Sequence, residues 1–234
     1  MDWVLYSDYD ALVDAFVKRE IDIAWNGPLS YVKIKRRLND SCTVVAMRDV
    51  DVNFVTHFIT RPDSDIATVE DLIGKRFAFG NRGSIQAGVL AYYFLEESGI
   101  MPRRDLAEYT FHDEREQSSF SDEMDVIERV RKGEYDAGAV CERTLEVMEE
   151  RGELSRDVVR VFWSSPGYSH CCFTIHSDLD SETAQKITRA FTSVDGSEQE
   201  GKAVLEGEAC NSFVPGIPEG WEILEIAAER ESLI

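Results

Sequence analysis

The residues Gly80-Asn81-Arg82-Gly83-Ser84-Ile85-Gln86-Ala87-Gly88 join a strand-like run, 76–80, to a long apolar helical run, 85–98. At a strand-to-helix junction, exposed backbone N–H groups and the positive end of the helix dipole favour an anion, and Ser84 adds a hydroxyl. The chemistry on offer is the holding of an oxyanion. The loop lacks G-K-[ST], so it is no Walker loop, and its glycines do not have the dinucleotide-binding spacing. The same residues also fit a plain turn at Gly83 with Ser84 as a helix cap. A second candidate lies in Asp22–Val32, where Ile21, Ile23 and Trp25 alternate as a strand and Asn26-Gly27 stand at its carboxyl end. Pro28 then suits the first position of a new helix. In open α/β sheets, ligands sit beyond the carboxyl ends of strands. Trp25, Asn26 and the 80–84 loop are therefore candidate contacts.

The four histidines are His57, His112, His170 and His176, and no pair has the spacing of a metal-binding helix. His112 follows the strand-like 108–111 and opens a polar stretch; His170 follows Tyr168 ahead of a strand. Both are candidate pocket residues. Tyr9, Trp25, Tyr31, Trp163 and Tyr168 can supply aromatic walls, with Tyr9 in a helix's first turn able to face a cleft. Trp163, ending a strand, reads as core. No G-x-S-x-G elbow and no H-E-x-x-H occurs, so no catalytic residue is assigned. The five cysteines are odd in number and lack C-x-x-C spacing, which predicts neither a zinc site nor a disulfide framework. Adjacent Cys171 and Cys172 read as core packing. No metal ligand and no cofactor is assigned.

The elements that must position these residues follow from periodicity. Ser7 and Asp10 resemble a capping box before a helix whose face is Tyr9, Leu12, Val13, Phe16 and Val17. The helix after Pro28 carries Lys33, Lys35, Arg36 and Arg37 on a face read as solvated. Strands are expected at 42–47, 54–60, 76–80, 136–140, 158–163 and 171–176. Helices are expected at 68–75, 85–98, 124–133, 181–194, 197–208 and 220–231, with an exposed polar loop over 113–123. Strands alternating with helices predict a parallel α/β sheet in two lobes that exchange strands. With 43% apolar residues the chain can fill real cores, and its net charge of −20 argues against nucleic acid or anionic lipid as partners. No run of about 18 apolar residues exists, so no membrane insertion is expected. The start, Met1–Asp10, lacks a basic segment followed by an apolar one, so no signal peptide is read there.

Four stretches in order resemble a known family: 6–32 with D-I-A-W-N-G-P-L, 68–88 with D-L-I-G-K-R-F-A-F-G, 131–140 with D-A-G-A-V, and 161–187. They resemble the phosphate/phosphite/phosphonate-type substrate-binding proteins of ABC transporters, within the type 2 periplasmic binding fold. The resemblance implies two α/β lobes joined by crossovers near 54–60 and 170–176, with ligand trapped between them by hinge closure. Lobe one is then 1–58 plus 174–234, and lobe two 59–173. The family's pocket tyrosine matches Tyr9, its second pocket aromatic falls near Phe54, and its pocket histidine matches His112. Its S-T-S-G anion loop aligns with Ser84–Ala87, where only the first serine persists and Gln86 offers an amide in place of a hydroxyl. A family acidic residue matches Glu142. The resemblance thus implies a ligand set of Tyr9, Trp25, Asn26, Ser84, Gln86 and His112, with Tyr168 and His170 by the hinge. It implies a small anionic ligand and an ABC permease as partners. Against the family pattern, the chain starts at the second strand, which predicts a gap and exposed strand edges in lobe one. A periplasmic or outer-surface location follows if a signal precedes this start, and a cytoplasmic one if the start is genuine. Two rival readings are a ligand-sensing domain of a receptor or regulator, and a cytoplasmic enzyme on the same fold resembling those of thiamine-pyrimidine synthesis.

Overall fold

A computed structural model of the chain describes residues 2–116, 122–153 and 155–234. The strands are β1 (Ile23–Asn26), β2 (Cys42–Arg48), β3 (Thr56–Thr60), β4 (Arg76–Ala78), β5 (Glu108–Thr110), β6 (Ala137–Cys141), β7 (Arg160–Ser164), β8 (Cys172–His176) and β9 (Phe213–Pro215). The α-helices are α1 (Tyr9–Val17), α2 (Pro28–Arg37), α3 (Leu90–Glu97), α4 (Pro102–Asp105), α5 (Asp122–Lys132), α6 (Glu142–Glu150), α7 (Ser181–Thr192), α8 (Gln199–Gly207) and α9 (Glu222–Arg230). The chain divides into two units, Met1–Phe54 with Gly167–Ile234, and Val55–Pro166. These divisions fall ahead of the expected ones at 58 and 173. The reason is hydrogen bonding: β3 pairs along its length with β6 and β7 of the second unit, and β8 with β1 and β2 of the first.

In the first unit the sheet order is β1-β8-β2-β9, and every pair is antiparallel. This corrects the parallel sheet expected from alternating strands and helices. β1 and β2 do run in the same direction, but β8, arriving from late in the chain, lies between them. Asp8, not Ser7, caps α1: its Oδ1 accepts from Ala11 N at 2.8 Å, while Ser7 Oγ donates to Asp8 Oδ2 at 3.0 Å. Val13 and Phe16 then face inward against Ala24 and Ile34. Within β1 the fully buried positions are Ala24 and Asn26, with Ile23 and Trp25 half-buried. Tyr31 packs against the buried Trp221 at 4.2 Å between ring centroids. The basic face of α2 is an ion-paired seam. Lys33 meets Asp10 and Arg37 meets Asp14 on α1, while Lys35 meets Glu225 and Arg36 meets Glu229 on α9. Each such surface pair contributes about 0.2–1 kcal/mol. Residues 2–6 form no strand, and Trp3, Val4 and Leu5 are exposed. Among the described residues, β1 pairs only with β8, so its other edge is open.

In the second unit the order is β5-β4-β6-β3-β7, parallel across β5-β4-β6 and antiparallel across β6-β3-β7. β6 is buried at every position, as its apolar run demands. Trp163, expected in the core, is half-buried on β7 and stacks on the buried Phe58 at 4.5 Å. The expected helix over 68–75 is a single 3-10 turn, Val69–Leu72. Thr68 and Asp71 cap it, and Gly74 ends it at φ +75. The expected helix over 85–98 begins as a π-type turn, Ile85–Val89, before α3. The stretch 113–123 is not simply an exposed loop. The Arg115 side chain is buried, and Asp122 and Glu123 open α5 with Glu123 buried as well; residues 117–121 lie outside the described residues. α6 and β9 went unread in the sequence. Among the described residues no helix is long and apolar enough to cross a membrane.

Candidate functional site

β4 runs through Phe79 and Gly80 into the loop that precedes the π-type turn. Ser84 caps that turn: its Oγ accepts from Ala87 N at 3.4 Å, and its carbonyl accepts from Gly88 N and Val89 N. The N–H of Ile85, at the turn's first position, meets no acceptor among the described residues. Gly88 is required here, because a Cβ would stand 2.3 Å from the Asn81 carbonyl oxygen. Carboxylates hold two of the loop's amides. Asn81 N donates to Asp122, and Arg82 N donates to Asp113 Oδ1 at 2.9 Å. Burial raises the Asp122 pKa, whereas Asp113, despite partial burial, is lowered by the Arg82 N–H. The Arg82 guanidinium lies 4.0 Å over the Phe111 ring and pairs with Glu114.

Gln86 is positioned from two sides. Thr56 Oγ1 donates to its carbonyl at 2.8 Å, and its own Nε2 donates to Glu123 Oε1 at 2.8 Å. The other oxygen of Glu123 accepts from Cys141 N at 2.6 Å and Thr144 Oγ1 at 2.8 Å, capping α6. The amide expected to replace a lost hydroxyl is therefore engaged with a buried carboxylate. His112 lies next to the loop through its N–H to the Gly80 carbonyl at 3.0 Å. Its Nδ1 is 3.3 Å from Asp125 Oδ2, a carboxylate that also receives Arg115 and Arg129. Ser84, Gln86 and His112 are thus brought to one end of one sheet. At that end Glu142, the residue matched to a family acidic position, joins two others: His57 Nδ1 is 2.8 Å from Ser164 Oγ, and its Nε2 is 3.0 Å from Glu142 Oε2. A hydroxyl, an imidazole and a carboxylate in line orient polar ligands as readily as they activate a nucleophile. Ser164 carried no sequence signal, and the contact spans three separate strands or strand ends.

In the first unit the Tyr9 ring lies over Gly27, where a Cβ would meet it at 3.6 Å, so Tyr9 flanks the end of β1 and is itself mostly exposed. Trp25 packs edge-on against its cross-strand partner Phe173 at 4.2 Å, with Arg48 over its ring at 5.2 Å. Asn26 is buried; its Nδ2 donates to Thr174 Oγ1 at 2.8 Å, and its Oδ1 meets no donor among the described residues. Tyr168 is buried, paired with Phe54 through two main-chain hydrogen bonds and ring contact. The pair stands where the chain passes between units. His170 stacks on Phe54 at 4.1 Å. Its Nδ1 lies 3.2 Å from both Asp51 Oδ1 and Cys171 Sγ. Burial works against the imidazolium, but the Cys171 sulfur and the Asp51 carboxylate outweigh it and push the pKa up to about 9. Burial would likewise raise Asp51, yet hydrogen bonds from His170 and Arg48 hold it below the ordinary carboxylate value.

Two α/β units linked by two passages of chain, one sheet mixed and the other antiparallel, constitute the type 2 periplasmic binding fold. The family model described as ABC transporter, phosphonate, periplasmic substrate-binding protein matches residues 1–221, and the chain belongs to that family. It is 25% identical over 194 residues to a probable ABC transporter phosphite binding protein, PhnD1, of Prochlorococcus marinus, covering 80% of this chain and 62% of that one. It is 22% identical over 224 residues to the phosphate-import protein PhnD of Mycolicibacterium smegmatis, covering 90% and 67%. The chain thus spans somewhat under two thirds of the phosphite-binding relative. Among solved structures, PhnD1 of Prochlorococcus marinus in complex with methylphosphonate superposes with a TM-score of 0.71 at 21% identity, covering 100% of this chain and 86% of that one. XAC2383 of Xanthomonas citri bound to ATP gives 0.72 at 17% identity, covering 97% and 84%.

Proposed function

We propose that this chain is the solute-binding component of an ABC importer and holds a small phosphorus oxyanion at the Ser84 turn. The observation that carries the reading is the capped turn at the carboxyl end of β4, with the Ile85 N–H meeting no acceptor among the described residues and the helix dipole behind it. Ser84 and His112 are the proposed contacts in the second unit, and Tyr9 with Asn26 the proposed contacts in the first. Gln86 acts through its main chain, its amide being held by Glu123. The role is one of binding and release, with no bond of the ligand made or broken. The lobe closure implied by the family resemblance belongs to this proposal, as do a permease partner and a location outside the cytoplasmic membrane.

Calorimetric titration with methylphosphonate, phosphite, phosphate and sulfate tests it. At least one phosphorus oxyanion is expected to bind more tightly than sulfate. Ser84→Ala is expected to weaken that ligand about tenfold, the equivalent of one lost hydrogen bond of about 1.4 kcal/mol. An unchanged affinity in Ser84→Ala would move the anchor elsewhere, and no heat with any of the four would remove the oxyanion reading.

A further inference from the structure

Another cluster stands in the first unit, on residues other than those of the Ser84 turn. Asp51 ends a 3-10 turn after β2 and is fully buried; His170 and Cys171 precede β8. Main-chain hydrogen bonds stitch the two segments together: His170 N to the Asp51 carbonyl at 3.0 Å, Phe54 N to the Tyr168 carbonyl at 2.7 Å, and Tyr168 N to the Phe54 carbonyl at 3.0 Å. The side chains are thereby placed before any ligand arrives.

We propose that Asp51, His170 and Cys171 form a binding site for one divalent cation of the zinc type. Their donor atoms, a carboxylate oxygen, Nδ1 and Sγ, all lie within 4.8 Å of one another, with Nδ1 at 3.2 Å from each of the other two. In a tetrahedral zinc site with bonds of about 2.0–2.3 Å, neighbouring donors stand roughly 3.3–3.7 Å apart. The two spacings from Nδ1, 3.2 Å each, lie near that range, so the imidazole can share a cation with either neighbour. The mixture of sulfur, nitrogen and oxygen donors suits zinc or cobalt and disfavours magnesium and calcium, which take oxygen alone. Three protein donors leave the fourth position for water or another small ligand.

The surroundings hold the donors in place. Arg48 Nε and Nη2 donate to Asp51 Oδ2 and Oδ1 at 2.6 and 3.0 Å, and its Nη1 donates to the Glu208 carbonyl at 2.7 Å. An ionised carboxylate has about four lone-pair sites, so two remain after this fork. The Phe54 ring fixes the imidazole plane. On binding, the Cys171 thiol loses its proton to solvent and sulfur coordinates as thiolate; a protonated His170 likewise gives up its Nδ1 proton. Affinity therefore falls as the medium is acidified.

The test is a titration of the metal-stripped full chain with Co²⁺, followed by displacement with Zn²⁺. One equivalent of Co²⁺ is expected, with a sulfur-to-cobalt charge-transfer band in the near ultraviolet that Zn²⁺ abolishes. Cys171→Ser is nearly isosteric at a half-buried position; it should melt like the parent, lose the band and bind Zn²⁺ at least about 100-fold more weakly. Cys210→Ser, at another half-buried thiol, should keep both. Cobalt uptake without the band, less than one equivalent bound, or unchanged Zn²⁺ affinity in Cys171→Ser would each overturn the proposal. The outcome is independent of oxyanion binding, since no residue of the Ser84 turn takes part.

Discussion

Glu123 accepts three hydrogen bonds while only 5% exposed, from Gln86, Cys141 and Thr144. Replacing one carboxylate oxygen with an NH₂ sets donor against donor. Glu123→Gln is therefore expected to destabilise the chain by about 2–3 kcal/mol, read from the midpoint of urea unfolding at unchanged slope. The change at Gln86 from the family's hydroxyl was legible in the sequence, but its partner was not. The pair is 37 residues apart, and Glu123 sits in a stretch whose composition reads as solvent-facing. Pairings across such distances leave no local pattern. The same holds for His57 with Ser164 and Glu142, and for Asp51 with His170, where unremarkable spacing hid a close approach. Tyr168, expected by the hinge, pairs with Phe54 where the chain passes from one unit to the other, a contact 114 residues apart that no local pattern announces.

β4 is only three residues long, and a side-chain clamp holds its start. Asp136 accepts from Arg76 N, Nε and Nη2 at 2.8, 3.1 and 2.9 Å, and Arg76 Nη2 also reaches the Gly133 carbonyl. The Arg76 hydrogen bonds hold the Asp136 pKa below its ordinary value. A carboxylate with a depressed folded-state pKa contributes stability above its unfolded value and loses it as pH falls through the folded one. Asp136→Asn should thus cost about 1 kcal/mol near pH 7, a partly exposed pair being screened. The gap to the parent should close as pH drops below about 4, measured by urea unfolding across that range. Most elements were legible because their periods are local: the apolar run of β6, the amphipathic α5, Pro28 opening α2. Strand direction was not. Alternating strands and helices fit a parallel sheet equally well, and the late arrival of β8 and β9 makes the first unit's sheet antiparallel.

At the scale of the molecule, 45 acidic side chains face 25 basic ones. Self-repulsion opposes compaction, and added salt screens it. The melting temperature is expected to rise as KCl goes from about 10 mM, where the screening length is about 30 Å, to about 1 M, where it is about 3 Å. A falling melting temperature would show that the ion-paired seams, such as α2 with α1 and α9, outweigh the net charge. The position of β8 between β1 and β2 has a further consequence, in the order of synthesis. A ribosome releases residues 55–166 as one continuous run, so the second unit can complete its sheet as soon as β7 emerges. β1 and β2 leave earlier but share no hydrogen bonds with each other, and both of β2's partners, β8 and β9, come near the end. The strands of the first fifty residues must therefore wait, unpaired, while the unit that follows them folds, and a nascent chain stalled just after residue 166 has cleared the ribosome would yield a protease-resistant second unit behind a cleavable N-terminal segment.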